Sequence, residues 1–188
     1  MAFSRSRKPR EPLDAPALYE YAVRALGRKM RTVAELKRQL RTRVEPGEPG
    51  EVKIAAVLAR LKDQHYLDDT AYATVYTRLR QENEKFGKRR VQQDLMQRGV
   101  SGEIVTTTVD AAYEGLPEEI QIRRFLERKR IRQPQDDKQT ARVLRMLARA
   151  GFQIGSIFKV LKQWNIQEET LAALEAIDPD DCNEANES

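Results

Sequence analysis

The chain has 188 residues, 40% hydrophobic and 34% charged, a composition that suits several small cores better than one large one. Its longest uninterrupted apolar run is residues 54–59, far short of the roughly 18 that a membrane span requires, and no charged-then-apolar leader opens it. One cysteine, Cys182, and one histidine, His65, with no glycine-rich phosphate loop, leave no disulfide framework, metal-ligand cluster or cofactor motif, which argues against an enzyme and for the reducing cytoplasm.

Formal net charge is +5, but Glu175, Asp178, Asp180, Asp181, Glu184 and Glu187 lie together near the end with no Lys or Arg among them. Residues 1–174 therefore hold 34 basic against 23 acidic groups. Such an excess favours a polyanionic partner, because each neutralised phosphate releases condensed counterions.

Taken in chain order, residues 1–14 place Arg5, Arg7, Lys8 and Arg10 between Ser and Pro and are expected to form a disordered basic arm. From Ala15 to Trp164 apolar residues recur three and four apart, and no alternating strand pattern occurs. The spacing predicts helices near 15–29, 32–43 and 51–64, then 69–84, 87–98 and 101–114, then 117–130, 137–150 and 154–163. Asp14, and Asp68 or Asp69, stand where a carboxylate caps a helix start, and Thr32-Val33-Ala34-Glu35 has reciprocal capping-box spacing. Gly99 and Gly151 sit where a left-handed residue closes a last turn. Residues 166–188 are expected to add one short helix, near 168–177, and a disordered acidic tail.

The three groups of helices are copies of one unit. Val91, Leu95, Gly99 and Val100 match Val143, Leu147, Gly151 and Phe152 at an offset of 52, and Leu36 and Leu40 match Val91 and Leu95 at an offset of 55. The expected fold is all-α, with three-helix repeats over 15–66, 67–115 and 116–165 stacked into an elongated, curved array. The first copy alone carries a Pro/Gly insertion, Pro46-Gly47-Glu48-Pro49-Gly50.

Projection onto these helices separates the cations. Lys138, Arg142, Arg145 and Arg149 fall at i, i+4, i+7 and i+11 and share one face. Four like charges without an intervening carboxylate repel one another, so helix stability does not account for them. The matching positions are Phe86, Arg90, Gln93 and Gln97 in the second copy and Arg31, Glu35, Arg38 and Thr42 in the first, so positive charge grades along the array. Further basic groups are Lys88, Arg89 and Arg90 at one helix start, Arg98 at its end, and Arg124, Lys129 and Arg130 in the third copy. These cations and Arg38 are the candidate binding residues. Asp68-Asp69 reads as capping rather than acid–base chemistry, and Trp164 as core.

His65-Tyr66-Leu67-Asp68-Asp69, then Ala71-Tyr72-Ala73, Phe86-Gly87-Lys88-Arg89-Arg90-Val91, Asp94-Leu95 and Arg98-Gly99-Val100 together resemble the RecX family of bacterial recombinase regulators. Ala34-Glu35-Leu36-Lys37-Arg38-Gln39-Leu40 resembles the family's first-unit segment. The chain departs from the pattern at His65, where the family usually has glycine, and at the first unit's exit, which lacks Lys/Arg-Gly. The resemblance implies a modulator, mainly an inhibitor, of the RecA recombinase. Such a protein lies along the RecA–DNA filament and lowers its ATPase, strand-exchange and coprotease activities in recombination, DNA repair and the SOS response. Gly87, Arg89, Arg90 and Arg98 are the motif positions carried over as contact candidates. The expected partners are the RecA filament and single- or double-stranded DNA bound without sequence preference, with no cofactor, no membrane and a monomeric state. A helix-turn-helix-like DNA-binding protein acting without RecA is the alternative, from the two helices joined across Arg98-Gly99-Val100-Ser101.

Overall fold

The computed structural model describes residues 11–164; the expected basic arm lies mostly outside the described residues, and the acidic tail and the helix near 168–177 wholly so. The described residues form α1 (Ala15–Arg28), α2 (Val33–Arg41), α3 (Glu48–Asp63), α4 (Asp69–Leu79), α5 (Lys88–Gln97), α6 (Gly102–Tyr113), α7 (Glu118–Arg128), α8 (Asp137–Arg149) and α9 (Ile154–Lys162), with no strand among them. The protein is thus all-α, in tandem three-helix repeats. The core register follows the sequence match: Leu36 and Leu40 of α2, Val91 and Leu95 of α5, and Val143 and Leu147 of α8 are all buried.

Local chemistry sets the helix ends. The Asp14 carboxylate accepts from the Ala17 amide at 2.9 Å, and the Asp68 carboxylate accepts from Thr70 and Ala71 at 2.8 and 3.0 Å. α3 begins at Glu48 rather than near 51, because Pro49 fits a first helical turn, where its missing amide hydrogen has no helical partner to lose; the helix absorbs part of the insertion. At its far end α4 widens into one π-helical turn over Arg80–Glu84, closed by Lys85 in the left-handed region at φ 57°. His65 at φ 58° and Arg130 at φ 53° occupy equivalent left-handed closures. In both, the following amide reaches back five residues: Tyr66 donates to Leu61 at 2.9 Å and Ile131 to Leu126 at 3.0 Å.

The expected capping box is only half formed. The Thr32 hydroxyl accepts from the Glu35 amide at 3.0 Å, but the Glu35 carboxylate pairs with Arg98 at 2.6 Å instead of returning to Thr32. A carboxylate from another helix takes part of its work, since Asp69 accepts from the Val33 amide at 2.9 Å. Burial pushes the Asp69 carboxyl upward, opposed by that hydrogen bond.

Among the described residues two compact units arise, 11–73 with 96–104 and 74–95 with 105–164, so the division runs through the second repeat. In the first unit Leu18, Ala22, Leu36, Leu40, Ile54 and Leu61 are among the residues of one core, which Leu67 joins from just before α4. In the second, Ile122, Phe125, Val143, Leu147, Ile157 and Leu161 belong to another, and Trp164 packs partly buried against it.

Each unit also holds a close backbone joint between the start of one middle helix and the end of the next. In the first, the Thr32 hydroxyl donates to the Arg98 carbonyl at 2.7 Å, and a Cβ on Gly99 would overlap the Ala34 side chain. In the second, the Gly87 amide donates to the Ala150 carbonyl at 2.8 Å. A Cβ on Gly87 would overlap the Gly151 carbonyl, and one on Gly151 would overlap the Arg90 amide. Glycine at both 87 and 151 is therefore a steric requirement of this joint.

His65→Gly and Arg130→Gly should each stabilise the protein by about 1 kcal/mol in urea unfolding, since an L side chain pays roughly 1–2 kcal/mol in the left-handed region. Gly151→Ala should destabilise by more than about 2 kcal/mol, whereas Gly155→Ala, in α9 with open space around it, should be neutral or stabilising by up to about 1 kcal/mol.

Candidate functional site

The basic face of α8 is built by its core face. The Asp136 carboxylate fixes the helix start by accepting from the Gln139 amide at 2.6 Å, and burial of Val143, Leu144 and Leu147 sets the rotation. Lys138, Arg142, Arg145 and Arg149 are consequently all exposed. They span roughly 16 Å of helix at 1.5 Å per residue. None of the four forms an ion pair with a described residue.

The other middle helices neutralise most of their cations. On α2, Arg41 meets Glu51 through two hydrogen bonds, at 2.5 and 3.1 Å, with Lys37 at 3.3 Å from the same carboxylate. The two cations hold the Glu51 carboxyl down at about 2. Arg38 remains exposed. On α5, Lys88 pairs with Asp110 at 2.9 Å and Arg90 with Asp94 at 3.0 Å, while Arg89 is exposed. The Arg98 side chain is held against Glu35 within the first unit's joint. The positions matching Lys138 and Arg142 are also occupied: Phe86 packs against the second unit's core and Glu35 engages Arg98.

Of the remaining candidates, Arg124 is exposed beside a small cleft lined by Gln81, Glu82, Lys85, Phe86, Leu116 and Gln121. Lys129 lies 5.8 Å from the centre of the Phe125 ring, and Arg130 is exposed in its left-handed turn. Sequence periodicity missed a feature next to α8, a cleft of 540 Å³ whose floor includes Ile131, Pro134, Val143 and Met146. Arg132, Arg142 and Arg149 line it with Gln133 and Gln139. The loop from 129 to 136 supplies Ile131, Arg132, Gln133 and Pro134 to this cleft and has no helical period, so periodicity could not have signalled it.

The surface is thus a row of four cations, unpaired among the described residues, beside an apolar cleft with cationic edges. It can hold an extended polyanion through charge, or an acidic segment that also carries aliphatic side chains. Among the described residues no His/Cys/Asp/Glu group could hold a metal ion, and no helix is long and apolar enough to cross a membrane.

Comparison with known proteins agrees with this architecture. Residues 68–109 match the family model described as RecX, second three-helix domain. A protein named regulatory protein RecX from Mycolicibacterium smegmatis is 32% identical over 179 residues, covering 86% of this chain and 93% of the relative. One of the same name from Oceanobacillus iheyensis is 25% identical over 154 residues, and the match spans 81% of this chain but 55% of that longer relative. The fold is also that of the crystal structure of RecX from Lactobacillus salivarius, at a TM-score of 0.61 and 19% identity, covering 80% of this chain and 96% of that one. Repeat architecture, motif and relatedness over most of its length agree: the chain belongs to the RecX family of regulatory proteins.

Proposed function

We propose that this protein modulates the RecA recombinase, mainly as an inhibitor, by binding along the RecA–DNA filament and lowering its ATPase, strand-exchange and coprotease activities. The observation that carries the reading is the α8 face: four exposed cations, unpaired among the described residues, on a helix whose counterparts are largely neutralised. A helical DNA–protein filament offers repeated phosphate and acidic groups to such a face, and weak contacts on successive repeats add when their spacing suits it. Arg38, Lys88, Arg89, Arg90, Arg98, Arg124, Lys129 and Arg130 are secondary candidates; those already in ion pairs contribute by exchanging one anionic partner for another. The protein acts in this reading as a monomer in the cytoplasm and needs no cofactor.

DNA binding by a helix-turn-helix without RecA gains little from the side chains available. The helix that would enter the major groove, α6, carries Glu103 and Asp110 and no Lys or Arg.

Converting Arg142, Arg145 and Arg149 to Glu should leave helical circular dichroism unchanged. The same change should raise by about tenfold or more the concentration needed to halve RecA's ATPase on single-stranded DNA. Reversing Arg24, Arg28 and Arg60 in the first unit should change it by less than about threefold. Equal effects of the two triple variants would remove α8 from the mechanism.

A further inference from the structure

The cleft beside α8 lies where the described chain ends. Gln133, one of its lining residues, donates a side-chain hydrogen bond to the carbonyl of Trp164. The 24 residues that follow contain Glu168, Glu169 and six further carboxylates, with no Lys or Arg. Glu168 lies four residues beyond Trp164, about 14 Å of extended chain, so the first acidic pair is within reach of the arginines.

Sequence pattern gives this segment a more specific relation to the fold. Where α4 opens, Asp69 is preceded at two residues by Leu67 and followed at three and six by Tyr72 and Val75. Where α7 opens, Glu119 stands in the same relation to Pro117, Ile122 and Phe125. After Trp164 the pattern recurs, Glu168 with Ile166, Leu171 and Leu174. The chain following the first repeat is used to complete that repeat: Leu67 joins its core and the Asp69 carboxylate accepts from the start of its middle helix. The third repeat has an apolar cleft beside its middle helix, lined by Arg132, Arg142 and Arg149, and the sequence after it carries aliphatic and acidic residues in the same order as the segment after the first repeat.

We infer that the cleft is a binding site for an acidic peptide bearing aliphatic side chains, and that its occupant is this chain's own 165–178 segment. Ile166, Leu171 and Leu174 supply aliphatic groups suited to a floor that includes Ile131, Val143 and Met146, and Glu168, Glu169 and Glu175 supply charge complementary to Arg132, Arg142 and Arg149. A repeat whose cleft is filled in this way exposes less apolar surface. The occupant also competes for the arginines with any polyanion. That competition rests on the proposed function, whereas the docking itself does not.

Cys182, the only cysteine, permits a test on the full chain. Benzophenone maleimide attached there and irradiated should insert within the same chain into peptides covering residues 131–149. The yield should fall by about fivefold or more in an Arg132→Glu, Arg142→Glu, Arg149→Glu variant and in about 1 M salt, where the Debye length is ~3 Å. Insertion elsewhere, insertion between two chains, or a yield indifferent to the arginine changes would each overturn the assignment. Single-stranded oligothymidylate should lower the native yield. If it does not, while the arginine changes do, the occupant stands and phosphate binding by this face is what fails.

Discussion

Gly87 and Ala150-Gly151 approach so closely that a Cβ at either glycine meets backbone, and one hydrogen bond between the two main chains fixes their register. Side chains at such a contact could slide or repack; backbone against backbone cannot without losing a buried hydrogen bond. The joint therefore sets where α8 ends relative to the start of α5, and burial of Val143, Leu144 and Leu147 sets which way α8 faces. The first unit solves the same problem with different groups, a Thr32 hydroxyl in place of the Gly87 amide and the Arg98 carbonyl in place of that of Ala150. Repetition of geometry with exchange of chemistry is what tandem repeats permit, because each copy has to satisfy only its neighbours.

The joints also explain why charge accumulates where it does. At the starts of α2 and α5, residues that would point outward in an isolated repeat are taken up by a following middle helix, as Glu35 is by Arg98. No later repeat covers α8 among the described residues, and its cations remain exposed. Elsewhere Glu51 and Asp110 neutralise the cations of α2 and α5. The gradient of positive charge is therefore a gradient in pairing as much as in composition. Exposed pairs of this kind contribute little to stability, so their main effect is on the field presented to a partner.

Much of this was legible in the residues themselves. The period of Leu36/Leu40, Val91/Leu95 and Val143/Leu147 defines both helices and repeats, because a core face admits little else at those positions. Left-handed closure at Gly99 and Gly151 was likewise readable, since glycine after an apolar periodic stretch has one common structural use. What could not be read was the choice among partners of equal local merit. Glu35 has capping-box spacing yet binds Arg98, and Asp69 looks like a cap for α4 yet serves α2. Gly87 reads as an ordinary helix start because the chain segment it touches lies more than sixty residues away. The cleft was illegible for the same reason, being half loop and half helix.

In the proposed function the outward face of α8 meets a polyanionic surface on the filament. The salt dependence of binding to RecA filaments on single-stranded DNA tests this, for the native chain and for the variant with Arg142, Arg145 and Arg149 replaced by Ala. Loss of three phosphate contacts should reduce the slope of log affinity against log salt by about 2, at ~0.7 per single-strand contact. An unchanged slope, with affinity also unchanged, would contradict the account.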